Sequence, residues 1–315
     1  MSALTPRNFV ILGAIVGLAV LLAFFGLRST SDSTAEAPVV TTVYAYAALS
    51  EELLGTDEVV LLGGTQDLHD YEPSPQDLRV LEGAELLVAN GGLDEWAVEA
   101  RTGVYVEALA LVETIEPGGA HDEHDDEHHE EDEDHEDEHD EEKEAGEKHD
   151  HGDVDPHVWT VPENLVRVGE AILEQRSQAD TNEYLPRLRG LEEEYVTRLS
   201  ACAQDTLVTT HDALGYLGAT YDFEIIAAGT QEGELELSPQ ELARTLEEIE
   251  VDGARYLLAS PLEDDELART LAAEADLTVL PIHLLENPPR AELSLEEALR
   301  ENLESLATAL ECEAV

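Results

Sequence analysis

Between His121 and His151 the chain interleaves eight histidines with nineteen acidic residues and has almost no apolar side chain. Such a segment buries too little surface to offset its ordering entropy, so a folded core must come from the chain on either side of it. It reads as a mobile arm. Its imidazoles, His121, His124, His128, His129, His135, His139, His149 and His151, offer weak auxiliary capture of metal ions. The bland alternative is a solvated acidic spacer, but a spacer has no need of eight histidines.

The formal charge of −57 on 315 residues is extreme, and the arm holds only a minor share of it. Lys143 and Lys148, both in the arm, are the only lysines; every other basic residue is arginine. An acidic, lysine-poor surface repels itself in dilute buffer, whereas near molar salt the screening length falls to about 3 Å and the repulsion becomes local. The expectation is a high-salt protein of haloarchaeal source. Nucleic acid is not expected as a partner, because the basic footprint that binds phosphates is missing.

Residues Phe9–Leu27 are nineteen consecutive uncharged side chains, roughly 28 Å as a helix, which matches the hydrocarbon core of a bilayer. Residues 1–28 read as a membrane anchor, with cleavage near Thr30–Ala37 as the signal-peptide alternative. No cysteine precedes Cys202 and no twin-arginine pair is present, so neither a lipid anchor nor that export route is expected. Residues 29–38 would tether an external domain to the outer face of the cytoplasmic membrane.

After the tether, β-rich runs alternate with helical ones. Val39–Tyr44, Val59–Leu62, Leu86–Ala89 and Val104–Glu107 read as strands, and beyond the arm so do Thr206–Thr209, Glu224–Ala227, Tyr256–Ala259 and Thr278–Leu280. Ser74-Pro75-Gln76-Asp77 and Ser238-Pro239-Gln240-Glu241 each open a helix. The pattern predicts an α/β protein of two lobes, each a mainly parallel four-stranded sheet with flanking helices. The lobes are placed at 39–178, with the arm at 119–151, and at 205–315, with a joining helix at 179–204. Cys202 and Cys312 are too few for a zinc motif, and a disulfide between them stands beside two buried thiols as alternatives.

Four histidines lie outside the arm. His69, His211 and His283 each follow a strand, at the edge where open α/β sheets bind ligands, and His157 stands where the chain returns from the arm. At these residues the chain resembles the zinc and manganese substrate-binding proteins of ABC metal importers. Three segments carry the resemblance: His69–Asp77 with Leu87–Trp96, Asp155-Pro156-His157-Val158-Trp159, and Thr210–Tyr216. It covers roughly residues 39–312 and implies two lobes joined by a rigid backbone helix, with the metal between them. The histidine-rich loop is typical of zinc-type members. Two positions depart from the pattern: Thr160-Val161 replaces a Leu-Asp pair, and His283 stands where a carboxylate is usual.

The resemblance thus implies His69, His157 and His211 as metal ligands, with His283 as a fourth or as a neighbour of the cleft. Imidazole suits Zn(II), whereas carboxylate-rich sites suit Mn(II) better. The function read from the sequence is a monomeric zinc receptor, not an enzyme. It would serve an ABC permease driven by a cytoplasmic ATPase. Three alternatives accompany it: a manganese-type member of the same family, a surface metal buffer or adhesin, and a metallohydrolase. The last lacks a Gly-x-Ser-x-Gly elbow and a phosphate-cradling loop.

Overall fold

The computed structural model describes residues 39–55, 58–64, 66, 68–117, 154–177, 183–229, 237–262, 266–290 and 293–313. The expected anchor, tether and histidine arm lie outside these residues. Among the described residues no helix is long and apolar enough to cross a membrane.

Two parallel four-stranded sheets carry the fold. The first contains β1 (Val39–Thr41), β2 (Val59–Leu61), β3 (Leu86–Ala89) and β4 (Val104–Glu107), in the order β2-β1-β3-β4. The second contains β5 (Thr206–Thr209), β6 (Glu224–Ala227), β7 (Tyr256–Ala259) and β8 (Thr278–Pro281), in the matching order β6-β5-β7-β8. Parallel strands need crossover connections, and those of the first sheet are the helices α1 (Tyr44–Leu54), α2 (Pro75–Gly83) and α3 (Glu95–Ala100). After the arm come α4 (Pro162–Arg176) and α5 (Tyr184–Leu199), and then α6 (Gly215–Tyr221), α7 (Pro239–Asp252), α8 (Glu266–Glu274) and α9 (Leu295–Ala309) around the second sheet.

The first strand is shorter than its sequence suggests. It ends at Thr41, and Tyr44 already begins α1, although the cap residue Val43 has no side chain that can accept a hydrogen bond. The early amides find acceptors elsewhere: Tyr44 N–H donates to the Glu286 carbonyl at 2.9 Å and Ala45 N–H to that of Leu285 at 3.0 Å. A helix start left open locally is therefore closed by a segment more than two hundred residues away.

Alternation along the strands sorts side chains between two apolar layers per sheet. Val39, Leu86 and Val88 face one layer, while Val40, Leu87 and Ala89 face another that contains Leu81 and Ala97. In the second sheet Leu207 and Leu258 face inward with the first group, and Val208 and Leu257 pack with Ile249 and Leu271. The inner layer is common to both sheets. Leu49 of α1, Leu165 and Ile172 of α4, Leu188 and Tyr195 of α5, and Leu299 and Leu306 of α9 all belong to it. Tyr195 OH also donates to the Leu299 carbonyl at 2.6 Å, fastening α5 to α9.

Three helices start with reciprocal capping boxes: Ser74 with Asp77, Ser238 with Glu241, and Ser294 with Glu297. The serine hydrogen bonds hold each of these carboxyls below its ordinary range. Cys202 and Cys312 form a disulfide that ties the chain after α5 to the chain after α9 across a separation of 110 residues. Backbone pairs reinforce it, with Gln204 N–H on the Leu310 carbonyl and Glu313 N–H on that of Ala201, both at 3.0 Å.

Two outcomes follow for stability. Ser238→Ala should lower unfolding free energy by about 1 kcal/mol in urea titrations. Because Glu241 has a lowered pKa, the stability linked to its ionisation is present above the ordinary carboxylate value and is lost as pH falls through the lowered one. The Ser238→Ala defect should therefore shrink in acid. Reduction of the disulfide should remove about 2–4 kcal/mol in the same titration, with unchanged denaturation midpoints showing that the bridge adds nothing.

Candidate metal centre

Three loops bring three imidazoles together. His69 follows β2, His211 follows β5, and His157 lies at the start of the short 3-10 turn Val158–Thr160 that leads into α4. All three rings are almost withdrawn from solvent. One ring nitrogen from each falls within 4.8 Å of the others. Ring centroids are separated by 5.3 Å for His69 and His157, 5.9 Å for His69 and His211, and 5.5 Å for His157 and His211. A tetrahedral ion with bonds of about 2.0–2.1 Å brings its nitrogens to about 3.3–3.4 Å from one another.

His157 is held by the carboxylate of Asp155. Asp155 Oδ1 accepts from the His157 backbone N–H and also contacts its Nδ1, both at 2.8 Å. With the ring proton on Nδ1, Nε2 keeps a lone pair, and this buried nitrogen has no hydrogen-bond partner. A carboxylate behind a histidine in this way fixes the tautomer and raises the basicity of the remaining nitrogen. Asp155 is itself fully buried. Its other oxygen lies so near Gly215, the first residue of α6, that a Cβ there would collide with it and crowd Ile115.

The turn bearing His157 is anchored on several sides. Asp155 N–H donates to the Ile115 carbonyl at 2.9 Å, joining the points from which the chain leaves toward the arm and to which it returns. Trp159 packs edge-on against His157, with ring centroids 5.2 Å apart, and its Nε1–H donates to the Leu284 carbonyl at 2.7 Å. Nearby, burial and the charge of Asp155 push the Tyr216 phenol up to about 12, so it remains neutral near neutral pH. His211 is positioned by the end of β5, where Thr210 N–H bonds to the Leu258 carbonyl and Thr209 Oγ1 donates to the His211 carbonyl, both at 3.2 Å.

His283 does not join this group. Its backbone N–H donates to Asn302 Oδ1 at 2.7 Å, and Asn302 Nδ2 donates back to its carbonyl at 2.8 Å. Its ring Nε2 lies 2.8 Å from Glu301 Oε2 on α9. The position after the strand is as the sequence suggests, but α9 draws the ring nitrogen toward its own carboxylate. The eight histidines of the arm lie outside the described residues. The supporting residue Asp155 stands inside a motif visible in the sequence without having been assigned a task there. The Asp-x-His spacing was the available signal for Asp155.

A family model described as "ZnuA: Zinc-uptake complex component A periplasmic" matches residues 39–309. Among curated relatives, the zinc-binding protein AdcA of Streptococcus pyogenes serotype M3 is 25% identical over 291 residues, covering 85% of this chain and 55% of its own length. This chain thus spans about half the length of the streptococcal relatives it matches. The high-affinity zinc uptake system protein ZnuA of Bacillus subtilis is 24% identical over 295 residues, covering 86% of this chain and 87% of that protein. Among solved structures, the Zn(II)-bound ZnuA-like domain of Streptococcus pneumoniae AdcA has a TM-score of 0.65 at 23% identity, covering 87% of this chain and 98% of that one. The laminin-binding protein Lmb of Streptococcus agalactiae has a TM-score of 0.68 at 21% identity, covering 87% and 99%. These likenesses establish the fold of two parallel sheets. The relatives named are bacterial and lend no support to the haloarchaeal source expected from composition.

Asp155→Ala should weaken zinc binding about 10- to 100-fold, measured by competition with a chromogenic chelator. A dissociation constant equal to that of the wild type would deny Asp155 any part in supporting the ligand.

Proposed function

As the chain belongs to the zinc-uptake complex component A (ZnuA) family, we propose that it captures Zn(II) outside the cytoplasm and delivers it to an ABC importer. This is a family of binding proteins, not of enzymes. The observation that carries the reading is the convergence of His69, His157 and His211, from three separate loops, into one buried group. Three imidazoles without a carboxylate among them suit zinc better than the harder, six-coordinate manganese. A tetrahedral ion held this way keeps one further position for water or an added ligand. The engagement of His283 with Glu301 favours a three-histidine site over a four-histidine one.

The partners in this proposal are a membrane permease and its cytoplasmic ATPase. In the same proposal the apolar run Phe9–Leu27 keeps the monomeric receptor at the outer membrane face, and the histidine arm supplies weak additional metal sites. Ligation needs neutral imidazoles, so affinity should fall as the solution is made acid.

Calorimetric titration of zinc tests the reading directly. The wild type should show one tight equivalent and several weak ones. Deletion of residues 119–151 should remove only the weak ones, and alanine at His69, His157 or His211 should abolish or greatly weaken the tight one. His283→Ala should leave it within about threefold. A tight equivalent that survives the triple substitution of the triad, or that vanishes with the arm, would refute the assignment.

A further inference from the structure

The segment Asn90-Gly91-Gly92-Leu93-Asp94 contributes no ring to the triad, yet its buried polar groups are hydrogen-bonded to the elements around it. Asp94, fully buried, accepts at Oδ2 from the Thr42 hydroxyl and from Asn90 N–H, the latter at 2.7 Å, and at Oδ1 from Gly91 N–H at 2.7 Å. Burial nonetheless holds its carboxyl above the usual range. Gly91 turns with φ +89°, where a Cβ would also meet Glu107 Oε1 at 2.9 Å. This turn directs the fully buried Asn90 side chain toward the loop that carries His157. Its Oδ1 accepts from Tyr46 OH at 2.7 Å, and its Nδ2 donates to the Gly91 carbonyl at 3.0 Å and to the Pro156 carbonyl at 2.8 Å.

The Pro156 carbonyl belongs to the residue between the supporting carboxylate Asp155 and the ligand His157. A bond at that carbonyl restrains the peptide joining Pro156 to His157, and with it the direction of the His157 ring. Proline has no N–H to donate, so the turn depends on its carbonyl and on its neighbours for polar anchorage. Trp159 holds the turn from the side of the second sheet and Ile115 from behind, while Asn90 holds it from the end of β3.

We infer that Asn90 is a positioning residue of the metal centre, which sets the placement of His157 through the Pro156 carbonyl and thereby tightens metal binding. The inference rests on the proposed zinc site at the triad. A purely structural role would lower stability without altering the geometry around the ion.

The test compares Asn90→Ala and the milder Asn90→Ser with Tyr195→Phe, which removes a buried hydrogen bond between α5 and α9 remote from this network. Metal-free thermal midpoints, zinc dissociation constants by chelator competition, and visible absorption of the Co(II)-loaded proteins are measured for all. Both Asn90 variants should bind zinc about tenfold or more weakly, with altered cobalt bands, whereas Tyr195→Phe should lose thermal stability and keep the wild-type constant and spectrum. Asn90 variants with wild-type affinity and spectrum would overturn the inference, as would an equal loss of affinity in Tyr195→Phe at matched stability. Should the wild type fail to take up one zinc at the triad, the transport reading falls and this inference with it. Tight wild-type binding with unaffected Asn90 variants overturns this inference alone.

Discussion

Three imidazole nitrogens can share one ion only if the loops that bear them are fixed to within a fraction of an ångström, and here those loops belong to two different sheets. The constraint that makes this possible is the apolar layer common to both. Leu86 and Val88 of the first sheet and Leu207 and Leu258 of the second enter the same packed group, with α1, α4, α5 and α9 filling the space around them. Close packing of this kind resists displacement because any shift opens voids or forces overlaps. His69 follows a strand of the first sheet and His211 a strand of the second, so the packing of one sheet against the other sets their separation.

Polar fastenings then refine what packing has set. The carbonyls of Leu284, Leu285 and Glu286, after β8, are taken by Trp159, Ala45 and Tyr44, donors that belong to the first half of the described chain. The disulfide and the bond from Tyr195 to Leu299 add fastenings between α5, α9 and the segments that follow them. Each buried donor and acceptor that finds its partner avoids a desolvation penalty of about 1–3 kcal/mol, so the docked arrangement is favoured over a separated one by specific bonds as well as by area.

Much of this was legible in the sequence, for identifiable reasons. Strands such as Leu86–Ala89 and Thr206–Thr209 are buried on both faces, and parallel strands of that kind appear as short apolar runs. His69 and His211 could be singled out because each follows a strand-like run, and His157 because it stands in the Asp-Pro-His segment where the chain returns from the arm. The extent of β1 was not, since the acceptors that start α1 at Tyr44 come from the other end of the chain and leave no local trace. His283 illustrates a second limit: its place after β8 is local, but the direction of its ring is decided by Glu301 and Asn302 on α9. Asn90 illustrates a third, because a buried amide that serves a distant carbonyl looks like any turn residue until the contact is seen.

The bond between Ile115 and Asp155 has a consequence for how such a protein can change over time. It closes the base of the long acidic insertion, so that the folded body meets the insertion at a single pinned junction beside His157. The entropy of closing a loop grows only logarithmically with its length, each doubling adding about 0.6 kcal/mol. The length and composition of the segment between Ile115 and Asp155 can therefore change with little effect on the folding of the body. The content of that segment and the stability of the folded body become separately adjustable traits.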